Sequence, residues 1–222
     1  RRRQRQMCIR DSFNINYRLV PDVTVNQQLQ DVARALRWIR DHGSQYPCDM
    51  RNIMLTGDSA GGQLAAYSAV LMQSAQLRKT FDTVDPQMEL TALLLTSPVA
   101  FMRDGGLFSL YTKPMWGTDY KDKATYPYMD FDQIIDYAQA LPPTYLITSS
   151  GDTLANKQTH RLYEVLQAHG VQAEIKDYAK AEYNQSLPHV FSVLQPFEPA
   201  GTAAIDKALA FYQQAMTAKA AQ

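Results

Sequence analysis

An α/β architecture is predicted for this 222-residue chain, with a mainly parallel sheet and helices on both faces. Three observations predict it. Short apolar, β-type runs alternate with amphipathic stretches of helix length, the pattern of βαβ units. The apolar share is 45%, which can bury a sizeable core in one domain of this length. A strand-sized run also ends at the glycine-rich turn Gly57-Asp58-Ser59-Ala60-Gly61-Gly62, and a helical pattern follows it.

Taken in order, residues 13–19 (FNINYRL) form a β-rich run ended by Val20-Pro21. Residues 26–42 show helical spacing, with Val32, Ala35, Leu36 and Ile39 on one face and Gly43 as the stop. Residues 52–56 are a strand-sized run that Gly57 should break, and residues 63–73 a second helix. Residues 90–96 read as a buried strand stopped by Ser97-Pro98. Residues 101–141 are irregular and rich in turn residues. After Pro142-Pro143, residues 144–149 form a strand, 156–169 a helix stopped by Gly170, and 173–178 an alternating, half-exposed strand. A last helix covers residues 205–216, with Leu209 and Tyr212 on its apolar face.

Composition narrows the function classes. Lys plus Arg equals Asp plus Glu, 22 of each, so the basic footprint of a nucleic-acid binder is missing. No run of about 18 or more apolar residues exists, so no membrane span is expected. Two cysteines, Cys8 and Cys48, make no disulfide framework and point to a reduced, cytoplasmic setting. No metal-ligand spacing surrounds Cys48, and no metal or other cofactor is expected.

Gly57-Asp58-Ser59-Ala60-Gly61 matches G-x-S-x-G, with Gly62 following. The spacing has a chemical reason. A nucleophilic serine sits on a sharp strand-to-helix turn, and small residues two positions either side let that turn pass close to neighbouring chain. The helix N-terminus favours the negative charge that develops in acyl transfer, and the N–H of Ala60 is the expected oxyanion donor. A phosphate-binding turn would need a Lys-Ser/Thr pair next, which Gly62-Gln63-Leu64 does not supply.

Such a serine needs a general base and a carboxylate that orients it. Of the four histidines, His42 and His169 each close a helix before a glycine, and His160 lies within a helix. His189 lies in a loop beyond the last predicted strand and is the candidate base. The acid is expected between Ser59 and His189 in chain order. Asp152 follows the strand 144–149 and precedes a helix, so it sits where catalytic groups gather in such sheets. Asp177 lies within a strand, and Asp130, Asp132 and Asp136 lie in the irregular segment; all four read as solvated surface charges.

On these motifs the chain resembles the hormone-sensitive lipase-like carboxylesterases, the α/β-hydrolase fold-3 family. The family's Y-R-L-A-P-E stands here as Tyr17-Arg18-Leu19-Val20-Pro21-Asp22. Its D-x-x-x-A-L-x-W helix stands as Asp31, Ala35, Leu36 and Trp38, and its G-D-S-A-G-G is matched at all six positions 57–62. Its D-P-L reads Asp152-Thr153-Leu154, and its H-G-F reads His189-Val190-Phe191. Tyr163, Leu166 and Gly170 follow its Y-x-x-x-L-x-x-x-G with shifted spacing.

The resemblance covers residues 13 to about 216 and implies a triad of Ser59, His189 and Asp152 acting on small, uncharged, short-acyl esters. An amidase or peptidase using the same triad is one alternative; a non-catalytic homologue that binds a small ligand is another. The family's oxyanion motif H-G-G-G is missing, since it would lie upstream of residue 13. The resemblance therefore implies an α/β-hydrolase domain over residues 13–222 that lacks its first strands and oxyanion loop, inactive and poorly soluble when expressed alone. In the family the position of residues 101–141 carries part of a cap. Here that segment holds nine aromatics, among them Phe108, Tyr111, Trp116, Tyr120 and Tyr128. They suit either an apolar acyl or alcohol pocket or a cover for the sheet edge.

Residues 1–12, RRRQRQMCIRDS, have no periodicity. Met7 to Asp11 is also the translation of ATG TGT ATA AGA GAC, a string resembling a sequencing-library adapter. Residues 1–12 are therefore expected to be non-native. The alternative is a basic arm for phosphate or anionic lipid.

Overall fold

Two of the four described strands, residues 92–96 and 144–149, arise where leucine, β-branched or aromatic residues are buried on both faces. A computed structural model describes residues 11–103 and 107–221. Residues 1–10, most of the segment expected to be non-native, lie outside the described residues, as does the Phe108 side chain. The order is α1 (Val25–His42), β1 (Met54–Asp58), α2 (Ala60–Gln73), α3 (Ala75–Phe81), β2 (Ala92–Thr96), α4 (Leu107–Trp116), β3 (Thr144–Ser149), α5 (Asn156–Ala168), β4 (Ala173–Tyr178), α6 (Lys180–Tyr183), α7 (Phe191–Leu194) and α8 (Pro199–Ala220). Among the described helices none is long and apolar enough to cross a membrane.

The described strands form one four-stranded sheet, β1-β2-β3-β4, and each neighbouring pair is parallel. Each crossover carries helix, as parallel pairing requires. All six residues of β3 are buried, the continuous burial expected of a strand covered on both faces. Leu93, Leu95 and Leu146 point to one face, where they pack with α1, α2, α3 and α5. Ala92, Tyr145, Ile147 and Tyr178 point to the other, under Ala200, Ala204, Ala208 and Phe211 of α8. The predicted fold class is borne out.

The structure departs from the sequence reading at several points. Residues 13–19 are not a strand. The Arg18 N–H donates to Asp31 Oδ2 at 3.1 Å, and the Arg18 carbonyl accepts from Gln28 Nε2 at 2.8 Å. Side chains of α1 thus take the backbone groups that a ladder would use. β1 does not stop at Gly57 but runs through it to Asp58, and α2 begins at Ala60 rather than residue 63. Helix α3, absent from the sequence reading, starts where Ser74 Oγ accepts the Leu77 N–H at 3.2 Å.

The segment 101–141 is not wholly irregular, since it contains α4 and short 3₁₀ turns. Trp116, Met129, Phe131, Ile134 and Ile135 are buried in the main core. The Phe131 ring meets Tyr67, and the Tyr128 ring meets Phe81. Tyr111 is exposed.

Asp130 is not a solvated surface charge. It is 7% exposed and accepts the N–H groups of Met102 and Arg103 at 2.6 and 2.9 Å. Asp177 is likewise occupied, by Asn156 Nδ2 and His160 Nε2.

Gln158 of α5 anchors the start of this excursion. Its Oε1 accepts the N–H groups of Ala100 and Phe101 at 2.9 and 3.0 Å, and its Nε2 donates to the Phe101 carbonyl at 3.1 Å. Gln158→Ala strands three buried backbone groups. The expected loss is about 2 kcal/mol of unfolding free energy, measurable as a lower denaturation midpoint.

Candidate active site

The site is assembled at the C-terminal ends of the strands, where an open α/β sheet gathers its ligand groups. Ser59 lies between β1 and α2 with φ 51° and ψ −116°, a strained combination for any residue but glycine. Its neighbours impose it. The Ser59 N–H donates to the Thr96 carbonyl at 2.9 Å, and its carbonyl accepts from the N–H groups of Gln63 at 3.1 Å and Val99 at 3.3 Å. One residue therefore joins the ladder with β2 through its N–H and the first turn of α2 through its carbonyl. Gly62 is buried against Pro98, and Gly61 lies beneath the Tyr17 hydroxyl. Asp58 and Ala60 are exposed. As the first helical residue, Ala60 holds an N–H without an intrahelical acceptor, beside the nucleophile.

Asp152 follows β3, and its side chain is fully buried. Its Oδ1 accepts the N–H groups of Leu154 and Ala155 at 3.0 and 2.9 Å. That leaves Oδ2 for His189, whose Nδ1 stands 2.9 Å away. Burial opposes ionisation, but the hydrogen bonds from His189 and the Ala155 N–H outweigh it and hold the carboxyl below its usual range.

His189 lies in the loop after β4, with 24% of its side chain exposed. Its Nε2 is 2.9 Å from Ser59 Oγ. Because an ionised carboxylate only accepts, Nδ1 carries the imidazole proton and Nε2 is free to accept the serine proton. Val190 adopts φ 52°, in the left-handed region, where the family motif carries glycine and a β-branched residue is an outlier.

The structure thus brings Ser59, His189 and Asp152 into one hydrogen-bonded chain from three strand ends. The arrangement can deprotonate Oγ as it attacks an acyl carbon and return the proton to the leaving group. The other histidines stand apart from it. His42 Nδ1 meets the Trp38 carbonyl, and His169 bridges the Val165 carbonyl and Asp136. Cys48 is a free thiol that donates to the Gly43 carbonyl. No group of metal-ligating side chains occurs among the described residues. A groove of about 390 Å³ at the opposite end of the sheet, lined by Met72, Met88, Leu90, Pro143 and Ala215 among others, contains none of the triad.

Two contributors escape the sequence reading. The Tyr17 hydroxyl over Gly61 has its pKa raised by burial and then by the Asp58 charge. Ser149 donates to the Leu187 carbonyl beside the base. Tyr17 lay inside a recognised motif, but nothing in the spacing marked Ser149.

Comparison with known proteins places the fold and the family. A family model described as the alpha/beta hydrolase fold matches residues 6–187. A Mycobacterium tuberculosis protein named probable carboxylic ester hydrolase LipM is 27% identical over 201 residues, covering 88% of this chain and 46% of that protein. An acetyl esterase of Salmonella choleraesuis is 25% identical over 181 residues, covering 75% of this chain and 52% of that protein. The chain spans about half the length of these relatives. Among solved structures, esterase B from Lactobacillus rhamnosis superposes with a TM-score of 0.83 at 29% identity, covering 92% of this chain and 65% of that one. A form of that esterase inhibited by a tributyrin phosphonate gives 0.82 at 30% identity, covering 93% of this chain and 67% of that one. Strand order, family match and shared architecture together establish that the chain belongs to the α/β-hydrolase fold family, in its hormone-sensitive lipase-like branch.

Proposed function

We propose that the protein to which this chain belongs is a serine carboxylesterase, with Ser59 as nucleophile, His189 as general base and Asp152 as the orienting acid. The observation that carries the reading is the pair of 2.9 Å contacts that His189 makes, one with Ser59 Oγ and one with Asp152 Oδ2. His189 takes the Oγ proton as Ser59 adds to the ester carbonyl. The developing oxyanion meets the Ala60 N–H at the start of α2, with Gly57, Asp58, Gly61 and Gly62 shaping the turn. His189 then protonates the departing alcohol, and a water repeats the sequence on the acyl-enzyme.

The substrate proposed is a small ester with a short, uncharged acyl chain. Support comes from the acetyl esterase relative and from the tributyrin phosphonate held by a structural neighbour. We place part of the cap over the site in residues 101–141.

The reading is tested with a matched ester and amide of the same short acyl group and with a fluorophosphonate probe. Ester cleavage far faster than amide cleavage, together with probe capture, is the expected result. Preferential amide cleavage would reassign the enzyme as an amidase. Ligand binding with neither turnover nor probe capture would make it a binding protein.

A further inference from the structure

We propose that Ser149 is a positioning residue for the base, holding the His189 loop so that the imidazole meets Asp152; this rests on the esterase reading. Ser149 is the last residue of β3 and is fully buried. Its carbonyl accepts the Asp152 N–H at 3.0 Å and Asn156 Nδ2 at 2.9 Å, which fixes the turn that presents the acid. Its hydroxyl donates in a different direction, to the Leu187 carbonyl at 2.7 Å. Leu187 is 3% exposed and stands two residues before His189. One residue therefore grips both the acid turn and the base loop.

The neighbouring backbone is shaped to allow this grip. A Cβ at position 151 would lie 2.6 Å from the Leu187 carbonyl oxygen, so Gly151 leaves open the path by which that carbonyl reaches Ser149. Downstream of His189, the Phe191 N–H donates to the Pro188 carbonyl at 3.1 Å, and the buried Phe191 ring packs 5.2 Å from that of Tyr178. The loop is thus anchored after the imidazole by packing and before it by the Ser149 hydroxyl. Without the hydroxyl, the Asp152–His189 bond is the side-chain hydrogen bond that remains, among the described residues, between the end of β3 and the base loop, beside apolar packing of Ile147, Leu187 and Phe191 in one cluster. Nucleophile activation is sensitive to misplacement of this kind, where about 1 Å can cost 10²-fold.

The test compares the whole protein to which this chain belongs with its Ser149→Ala and Ser149→Thr variants in two readouts. One is the rate at which a fluorophosphonate captures Ser59. The other is the far-downfield proton resonance of the His189 Nδ1–H, assigned by its loss in His189→Gln. We expect Ser149→Ala to slow capture at least about tenfold and to shift or broaden the resonance well below the melting temperature. We expect Ser149→Thr, which keeps the hydroxyl, to restore both. Should Ser149→Ala fail to fold, Ser149→Cys keeps the volume, weakens the donor and is read the same way. Wild-type capture with an unchanged resonance in the Ala or Cys variant would overturn the proposal, as would a Thr variant that behaves like Ala. If the wild type itself captures no probe, the esterase reading fails, while the resonance still decides whether Ser149 positions the imidazole.

Discussion

In the whole protein to which this chain belongs, Ser59→Ala is expected to abolish fluorophosphonate capture and to lower ester turnover by about 10⁶-fold, the scale seen when a triad serine is removed. The size follows from the geometry. Ser59 Oγ is the atom that His189 Nε2 faces at 2.9 Å, and among the described residues no second hydroxyl is hydrogen-bonded to that nitrogen. The loss should fall on turnover and not on folding. The strained backbone at position 59 is held by main-chain bonds to Thr96, Val99 and Gln63, which alanine keeps. A thermal melt close to that of the parent, beside a complete loss of capture, is the expected pair of results. Capture that persists in the alanine variant would place the reactive serine elsewhere.

The largest expected stability effect is that of Gly57→Ala. A Cβ at position 57 would lie 2.2 Å from the Gly61 carbonyl oxygen and 2.7 Å from the Gly62 nitrogen. Both are backbone atoms of the first turn of α2, so no side-chain rotation relieves the clash. Either β1 or α2 must move, and both carry ladder and helix hydrogen bonds. We expect a cost of about 3 kcal/mol or more, above the common range for overpacking. The accompanying shift of Ser59 should also remove probe capture in whatever fraction remains folded. Chemical denaturation would measure the first effect and active-site titration the second. A variant as stable as the parent would mean that the turn is looser than its contacts imply.

These two residues also show what the sequence makes legible. The nucleophile turn is readable because its demands are local: a strand, two close backbone approaches and a helix start lie within six residues. Asp152 and His189 are readable by elimination and chain order, since few histidines lie outside helices. The strands are readable where burial on both faces leaves continuous apolar runs.

Features that depend on distant partners are not readable in this way. Residues 13–19 have β propensity, but a strand needs a paired neighbour, and α1 takes the Arg18 backbone groups instead. Asp130 looks like an ordinary surface charge until residues 100–103 fold over it. Ser149 is one serine among many until the loop from β4 returns to it.

Among the described residues β3 is paired on both sides, with β2 and β4. Asp152 leaves the end of that strand, and its carboxylate is held by the N–H groups of Leu154 and Ala155. Backbone hydrogen bonds that are shielded on both sides open last. The acid of the site is therefore moored to a slowly opening part of the sheet, and the amide hydrogens of β3 should be among the slowest in the chain to exchange with solvent.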